Sequence, residues 1–295
     1  MYQTFAKYLD HDAYTALNAL RLKSRHRFAG SAAGEHRSFR MGQAIEFAQH
    51  RQYAPGDDLR YLDWKIYGRT DKYYLKQSED ETDLCCYVLL DNSESMSFAG
   101  TDSEISKLQY ARKLAVALAF VTLAGQDRIG LGMLSDRLFD YLPPSSAISQ
   151  LSRWDEVFEK TPAAGGTDLP SGVAQFVDQA RQPGLVVLIS DLLGPEQGLQ
   201  GALTLLRGAG HDAIVLHVMD RQEREFRFDG ELHFEGLESA GEVDVNGAQI
   251  RNAYLEELDN FIEKQRQNCW GLGFEFSTVL TDFPLAAALS SHFRH

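Results

Sequence analysis

Three separate stretches of this chain carry oxygen-bearing side chains where a fold could bring them together. Asp91, Ser93 and Ser95 lie in Y-V-L-L-D-N-S-E-S-M, Thr167 in A-G-G-T-D-L, and Asp191 in V-V-L-I-S-D-L-L-G. Carboxylate and hydroxyl oxygens suit a hard divalent cation such as Mg²⁺, which favours oxygen ligands in octahedral geometry and retains several waters; Mn²⁺ or Ca²⁺ would be served by the same atoms. Spacing of i, i+2, i+4 lets one looping segment aim three oxygens at a single point. With so few carboxylates, the protein would neutralise only part of the ion's charge, leaving it able to attract a carboxylate from elsewhere. Each stretch also has a plainer reading. Asp91 or Ser93 could cap a strand-to-helix turn, Thr167 could be a helix N-cap, and Asp191 could start the next helix.

Convergence depends on the elements around these residues. Five short apolar runs, Leu84–Leu90, Ile129–Leu134, Leu185–Ser190, Ala213–Met219 and Phe274–Leu280, lack strict alternation, as strands of a sheet covered on both faces do. Helical spacing occupies Lys107–Leu123, Asp168–Arg181, Gln197–Arg207 and Asn252–Gln267. This alternation predicts an α/β domain: a doubly wound, mostly parallel sheet with helices on both faces and right-handed crossovers. Arg137–Leu142, just before Pro143 and Pro144, suits a short antiparallel edge strand. Asp91 and Asp191 would then end two buried strands, the edge of an open sheet where sites form. If those strands are neighbours, the Thr167 loop can join them.

Two regions break the rhythm. Residues 1–83 begin with an expected helix at about Ala13–Arg25 and continue as an irregular, partly extended accessory region. Residues 221–249 alternate as β-hairpins do, and are expected as an insertion in an α/β domain spanning 84–295. Both could contribute to a small β-rich accessory part.

Composition narrows the classes. The 295 residues carry a net charge of −13, which argues against general nucleic-acid binding. Arg21 to Lys76 holds twelve Lys or Arg against six Asp or Glu, so this segment either packs against the acidic remainder or offers a basic docking face. Cys85 and Cys86 would point to opposite faces of a strand, and the three cysteines form no disulfide or zinc pattern. No apolar run is long enough to span a bilayer and the start lacks a signal-peptide layout, so cytoplasmic residence is expected. There is no G-x-x-x-x-G-K-[ST], G-x-S-x-G or H-E-x-x-H, and a non-enzymatic role is expected. A Mg²⁺-dependent hydrolase or phosphatase is the alternative, although phosphoryl transfer would want a second aspartate where Ser93 stands. A structural assembly factor with a stabilising metal is a third.

A further stretch, Y-A-P-G-D-D-L-R-Y-L-D-W, reads as a capped turn followed by a segment that buries Leu59, Leu62 and Trp64. Asp57, Asp58, Arg60 and Asp63 would belong to an ion-pair network or to a binding face.

The order D-N-S-E-S-M, A-G-G-T-D-L, V-V-L-I-S-D-L resembles the metal-ion-dependent adhesion site of von Willebrand factor type A domains over about residues 84–220. The resemblance implies that Asp91, Ser93, Ser95, Thr167 and Asp191 hold a divalent cation, usually Mg²⁺, and that the Asp91 and Asp191 strands lie side by side. The P-G-D-D stretch, A-Y-L-E-E-L at Tyr254 and the closing T-D-F-P-L-A-A-A-L resemble the bacterial domain-of-unknown-function family fifty-eight. Leu62 stands where that family commonly has isoleucine, and Gly68 where alanine is common. That resemblance implies a MoxR-type AAA+ ATPase as partner, an adaptor or co-chaperone role toward client proteins, and a partner carboxylate completing the metal site.

Overall fold

The computed structural model describes residues 6–24, 46–52, 64–70, 73–79, 84–195, 197–228, 231–235 and 242–292. They divide into two compact units, one formed by His26–Asp83 and the other by Met1–Arg25 with Leu84–His295.

The larger unit begins with α1 (His11–Ser24), and its sheet is laid down by β3 (Cys85–Asp91), β4 (Arg128–Leu134), β5 (Leu138–Ser145), β6 (Leu185–Ser190), β7 (Asp212–Met219) and β10 (Glu275–Leu280). Their order is β10-β7-β6-β3-β4-β5, parallel except for the antiparallel β5 edge. The doubly wound α/β expectation is met, including the edge strand. β3 is paired to both β4 and β6, so the chain leaves it on one side and returns on the other. The carboxyl ends of β3 and β6 thus form a switch point, the place where loops diverge and leave a crevice.

Period-two alternation sorts the side chains of β3 between two cores. Cys86, Val88 and Leu90 face a core with α3 (Lys107–Ala124) and α4 (Gln150–Lys160). Cys85, Tyr87 and Leu89 face a core with α5 (Leu169–Gln179), α6 (Gly198–Gly208) and α8 (Gly247–Gly271). The neighbouring cysteines do point to opposite faces, as small buried hydrophobes. α3 is apolar around most of its circumference because the sheet, α4 and α1 enclose it; Tyr14 of α1 sits 5.1 Å from Phe120, centroid to centroid. Residues 6–24 thereby join the larger unit, where the sequence reading had grouped them with the accessory region.

Two further differences have local causes. α4 was not expected; its apolar stripe, Leu151, Trp154, Val157 and Phe158, falls in an 11-residue segment between two turn-rich loops. Arg221–Glu225, expected as hairpin, is a short helix α7, because Asp220 and Glu223 form a capping box that outweighs the alternation beyond it. The hairpin itself is β8 (Glu231–Glu235) paired with β9 (Glu242–Asn246). A final helix α9 (Leu285–His292) follows β10.

The smaller unit contains β1 (Glu46–Gln52) and β2 (Tyr74–Glu79), paired antiparallel, with α2 (Trp64–Thr70) between them in sequence. The two ladders, β1-β2 and β8-β9, are separate sheets among the described residues. No helix among the described residues is long and apolar enough to cross a membrane.

Candidate functional site

The strand β3 ends at Asp91, and the chain then turns sharply, because Asp91 Oδ1 accepts from the Ser93 backbone N–H at 2.9 Å. A single 3₁₀ turn, Glu94–Ser97, follows and brings the Ser93 and Ser95 hydroxyls within 3.1 Å of each other. In the adjacent strand of the sheet, β6 ends at Ser190, whose hydroxyl donates to Asp91 Oδ2 at 2.5 Å and accepts from Leu192 N–H at 2.8 Å. Asp191 follows, and its Oδ1 accepts from Leu193 N–H at 3.2 Å. This turn forces Leu192 to a φ of +57°, a left-handed conformation unusual for a bulky side chain. Strain of this kind collects at functional sites. It buries Leu192 in the core and leaves Leu193 half-exposed beside Asp191.

The Thr167 loop is stitched to the others by backbone hydrogen bonds. Glu94 N–H donates to Gly165 O at 2.9 Å, Ala164 N–H to Asn92 O at 3.0 Å, and Asp168 N–H to Ser135 O at 2.9 Å. A Cβ placed on Gly194, just beyond Asp191, would lie 3.3 Å from Thr167 O, so the two loops are in direct contact. Beneath them Arg112 of α3 reaches Asn92 Oδ1 at 3.1 Å and also the Thr161 carbonyl.

All five residues singled out from the sequence are buried. The capping readings account for only part of their chemistry. Asp168, not Thr167, caps α5, accepting from Ser171 N–H at 3.1 Å. Ser93 precedes the 3₁₀ turn without a side-chain cap. Gln197, not Asp191, precedes α6. What remains unexplained by capping is Thr167 Oγ1, which is buried with no hydrogen-bond partner among the described residues. Such a hydroxyl carries a desolvation cost of roughly 1–3 kcal/mol unless something occupies its lone pairs.

Electrostatics point the same way. Burial pushes the Asp91 carboxyl up to about 6, with the nearby Asp191 charge adding to the rise; hydrogen bonds from Ser190 and Ser93 oppose it. Two buried carboxylates, with the Asp191 charge near enough to raise the pKa of Asp91, and three hydroxyls make an oxygen-only donor set suited to a hard cation. Among the described residues no three His, Cys, Asp or Glu side chains are grouped to hold a metal, so any cation here must draw on the hydroxyls. The residues present fit that group.

Several contributors escaped the sequence reading. Lys107, at the first position of α3, is almost wholly buried and donates to Asp191 Oδ2 and Glu223 Oε1, both at 2.8 Å. Burial works to lower its pKa, but the two carboxylates outweigh it and leave it raised. The available signal was a lysine directly after the Ser106 cap, where the helix dipole disfavours positive charge. Ser190 was hidden as the neighbour of a more conspicuous acid. Asp220 is a further buried acid at the same edge, yet Gly100 N–H, Ser103 Oγ, Gln222 N–H and Thr281 Oγ1 all donate to it. It serves as a brace between loops.

The second stretch singled out is mostly out of view. Asp57, Asp58, Arg60 and Asp63 lie outside the described residues, and Trp64 begins α2.

Comparison with known proteins places the chain in a family: residues 49–263 match the one described as "Protein of unknown function DUF58", and the chain belongs to it. The uncharacterized protein Rv1480 of Mycobacterium tuberculosis (strain H37Rv) is 26% identical over 227 residues, covering 76% of this chain and 70% of the relative. Among solved structures, the conserved hypothetical protein BatB from Bacteroides thetaiotaomicron is similar at 17% identity and a TM-score of 0.46, covering 70% of this chain and 96% of that one. The SpRpn10 VWA domain is similar at 12% identity and a TM-score of 0.41, covering 70% and 94%.

Proposed function

We propose that the protein is a metal-dependent protein-interaction module that docks a carboxylate of a partner, without catalysing a reaction of its own. The observation that carries this reading is the buried Thr167 hydroxyl, unpartnered among the described residues, in a loop that meets the segments carrying the two buried carboxylates Asp91 and Asp191. Asp91, Ser93, Ser95, Thr167 and Asp191 would hold a divalent cation, with Mg²⁺ the first choice. The bound ion would supply residual positive charge for an anionic group. This chain's own residues do the rest. Ser190 and the Ser93 N–H fix the Asp91 carboxylate, and the Leu192 turn fixes Asp191. The half-exposed Leu193 offers an apolar contact beside the site. From the family resemblance, the partner system is a MoxR-type AAA+ ATPase, with this protein as adaptor or co-chaperone for a client.

The test compares wild type with Asp91→Ala in affinity capture from the native host, with Mg²⁺ and with EDTA. Capture of an AAA+ ATPase or its client should vanish in EDTA and in the variant while far-UV circular dichroism is unchanged. Capture that persists in both conditions contradicts metal-dependent docking. Hydrolysis of a generic phosphate ester, lost in Asp91→Ala, would instead make the protein an enzyme. A large fall in Tm with partners retained would make the metal purely structural.

A further inference from the structure

The ammonium of Lys107 occupies a position that a purely structural account leaves odd. It stands at the first residue of α3, directly after the Ser106 cap, where the helix dipole disfavours positive charge. Its side chain is buried and is held from three directions. Asp191 Oδ2 and Glu223 Oε1 each accept from it at 2.8 Å, and the Phe98 ring centroid lies 5.6 Å away. Glu223 is itself committed, since its other oxygen accepts from Asp220 N–H at 3.0 Å in the α7 capping box. The lysine therefore has little freedom to leave Asp191.

We infer that Lys107 is a positioning residue that sets the charge of the candidate cation site, withholding part of Asp191 from the ion so that the ion stays electrophilic toward an acidic partner group. The inference rests on the metal-docking reading above. One Asp191 oxygen is tied to the ammonium and the other to the Leu193 N–H, so Asp191 faces the cation as a partly neutralised carboxylate. Glu223 tunes the effect from the far side by sharing the lysine. Removing the lysine frees Asp191 to neutralise the ion fully. Removing the Glu223 charge hands the whole ammonium to Asp191. The two changes should act in opposite directions, because Coulomb interactions at these separations in a buried site are strong.

The probe is Mg²⁺ alone, titrated calorimetrically into the full chain and checked by the Mg²⁺-induced shift in Tm. Lys107→Met is expected to bind Mg²⁺ at least tenfold more tightly than wild type, and Glu223→Gln several-fold more weakly. Lys107→Arg, which keeps the charge, should stay near wild type. A buried pair that merely cross-links α3 to β6 and α7 predicts lower stability with unchanged Mg²⁺ affinity in both variants, and that result overturns the inference while leaving the metal site intact. If Lys107→Met does not fold, Glu223→Gln decides alone: its glutamate is partly exposed, and unchanged or tighter Mg²⁺ binding refutes the inference. Failure of folded wild type and both folded variants to bind Mg²⁺ at all would instead sink the metal-docking reading itself.

Discussion

Thr167→Val should make the metal-free protein more stable and the metal-bound protein less so. Valine keeps the β-branched shape of threonine and replaces the hydroxyl by a methyl of similar volume, so the loop has no steric reason to move. Thr167 Oγ1 is buried and has no hydrogen-bond partner among the described residues, and the substitution removes its desolvation cost of about 1–3 kcal/mol. A gain of 1 kcal/mol raises Tm by roughly 2–4 °C in a domain of this size. In EDTA the variant should therefore melt about 2–12 °C above wild type. In Mg²⁺ the order should close or reverse, because a ligand that binds only the folded state stabilises it by RT ln(1 + [L]/Kd), and a lost oxygen ligand raises Kd. Differential scanning calorimetry in EDTA and in excess Mg²⁺ measures both increments on the same samples. The reasoning is refuted if Thr167→Val is destabilised in EDTA, which would mean the hydroxyl is partnered. It is equally refuted if the variant keeps the full Mg²⁺ increment, which would mean the hydroxyl never meets the ion.

His217 is buried on β7 against Phe261 and Phe276, and burial lowers its pKa to about 4. The unfolded chain then binds more protons than the folded one between about 6.5 and 4, so stability from this group is present above that window and is lost as pH falls through it. The loss should be on the order of 3 kcal/mol from pH 7 to pH 4; urea unfolding across that range should show a shallower decline in His217→Gln. Gly184→Ala should destabilise by more than about 2 kcal/mol, because its Cβ would lie 2.1 Å from the Cys85 carbonyl oxygen, a backbone atom that cannot yield. Gly208→Ala, at the end of α6 with open space around it, should raise stability by roughly 0.5–1 kcal/mol. Denaturant midpoints of the two alanine variants moving the same way would show that the glycines differ in neither role.

The parallel strands were legible because each is a short run of Val, Ile and Leu bounded by polar loops, a pattern that burial on both faces imposes. Leu185–Ser190 was delimited to the residue, and β3, β4, β7 and β10 within one. What failed to show was decided by partners distant in sequence. α4 exists because Trp154 and Phe158 reach a core also built from α1 and α3. The turn at 221–225 follows from a four-residue capping box that short alternation could not reveal. In the site, residue types and order pointed to Asp91, Ser93, Ser95, Thr167 and Asp191, since strand ends and a Gly-rich loop must gather at one edge of an open sheet. Lys107 could not be placed in the same way. Its ammonium lies at the end of a long flexible stem, and only the packing of α3 shows which carboxylates it meets.

On the proposed metal-docking reading, that lysine alters how the constellation would work as a binding site. Two carboxylates alone would neutralise a divalent ion and leave little pull on a third carboxylate. The buried ammonium takes part of one of them, and Glu223 takes part of the ammonium, so on that reading the positive charge left around a bound cation would be set by a chain of contacts reaching α7. Leu193, held half-exposed by the strained turn at Leu192, stands beside that charge. A partner carboxylate followed by an apolar side chain would meet both, whereas a free inorganic anion would meet only the charge. Leu193→Ser should therefore weaken capture of the protein partner by roughly tenfold, about the 1.4 kcal/mol expected from losing one partly buried leucine contact, while leaving Mg²⁺ affinity unchanged. Isothermal titration with Mg²⁺ and surface capture of the purified partner separate the two effects. A parallel loss of Mg²⁺ binding would assign Leu193 to the support of Asp191 rather than to the partner.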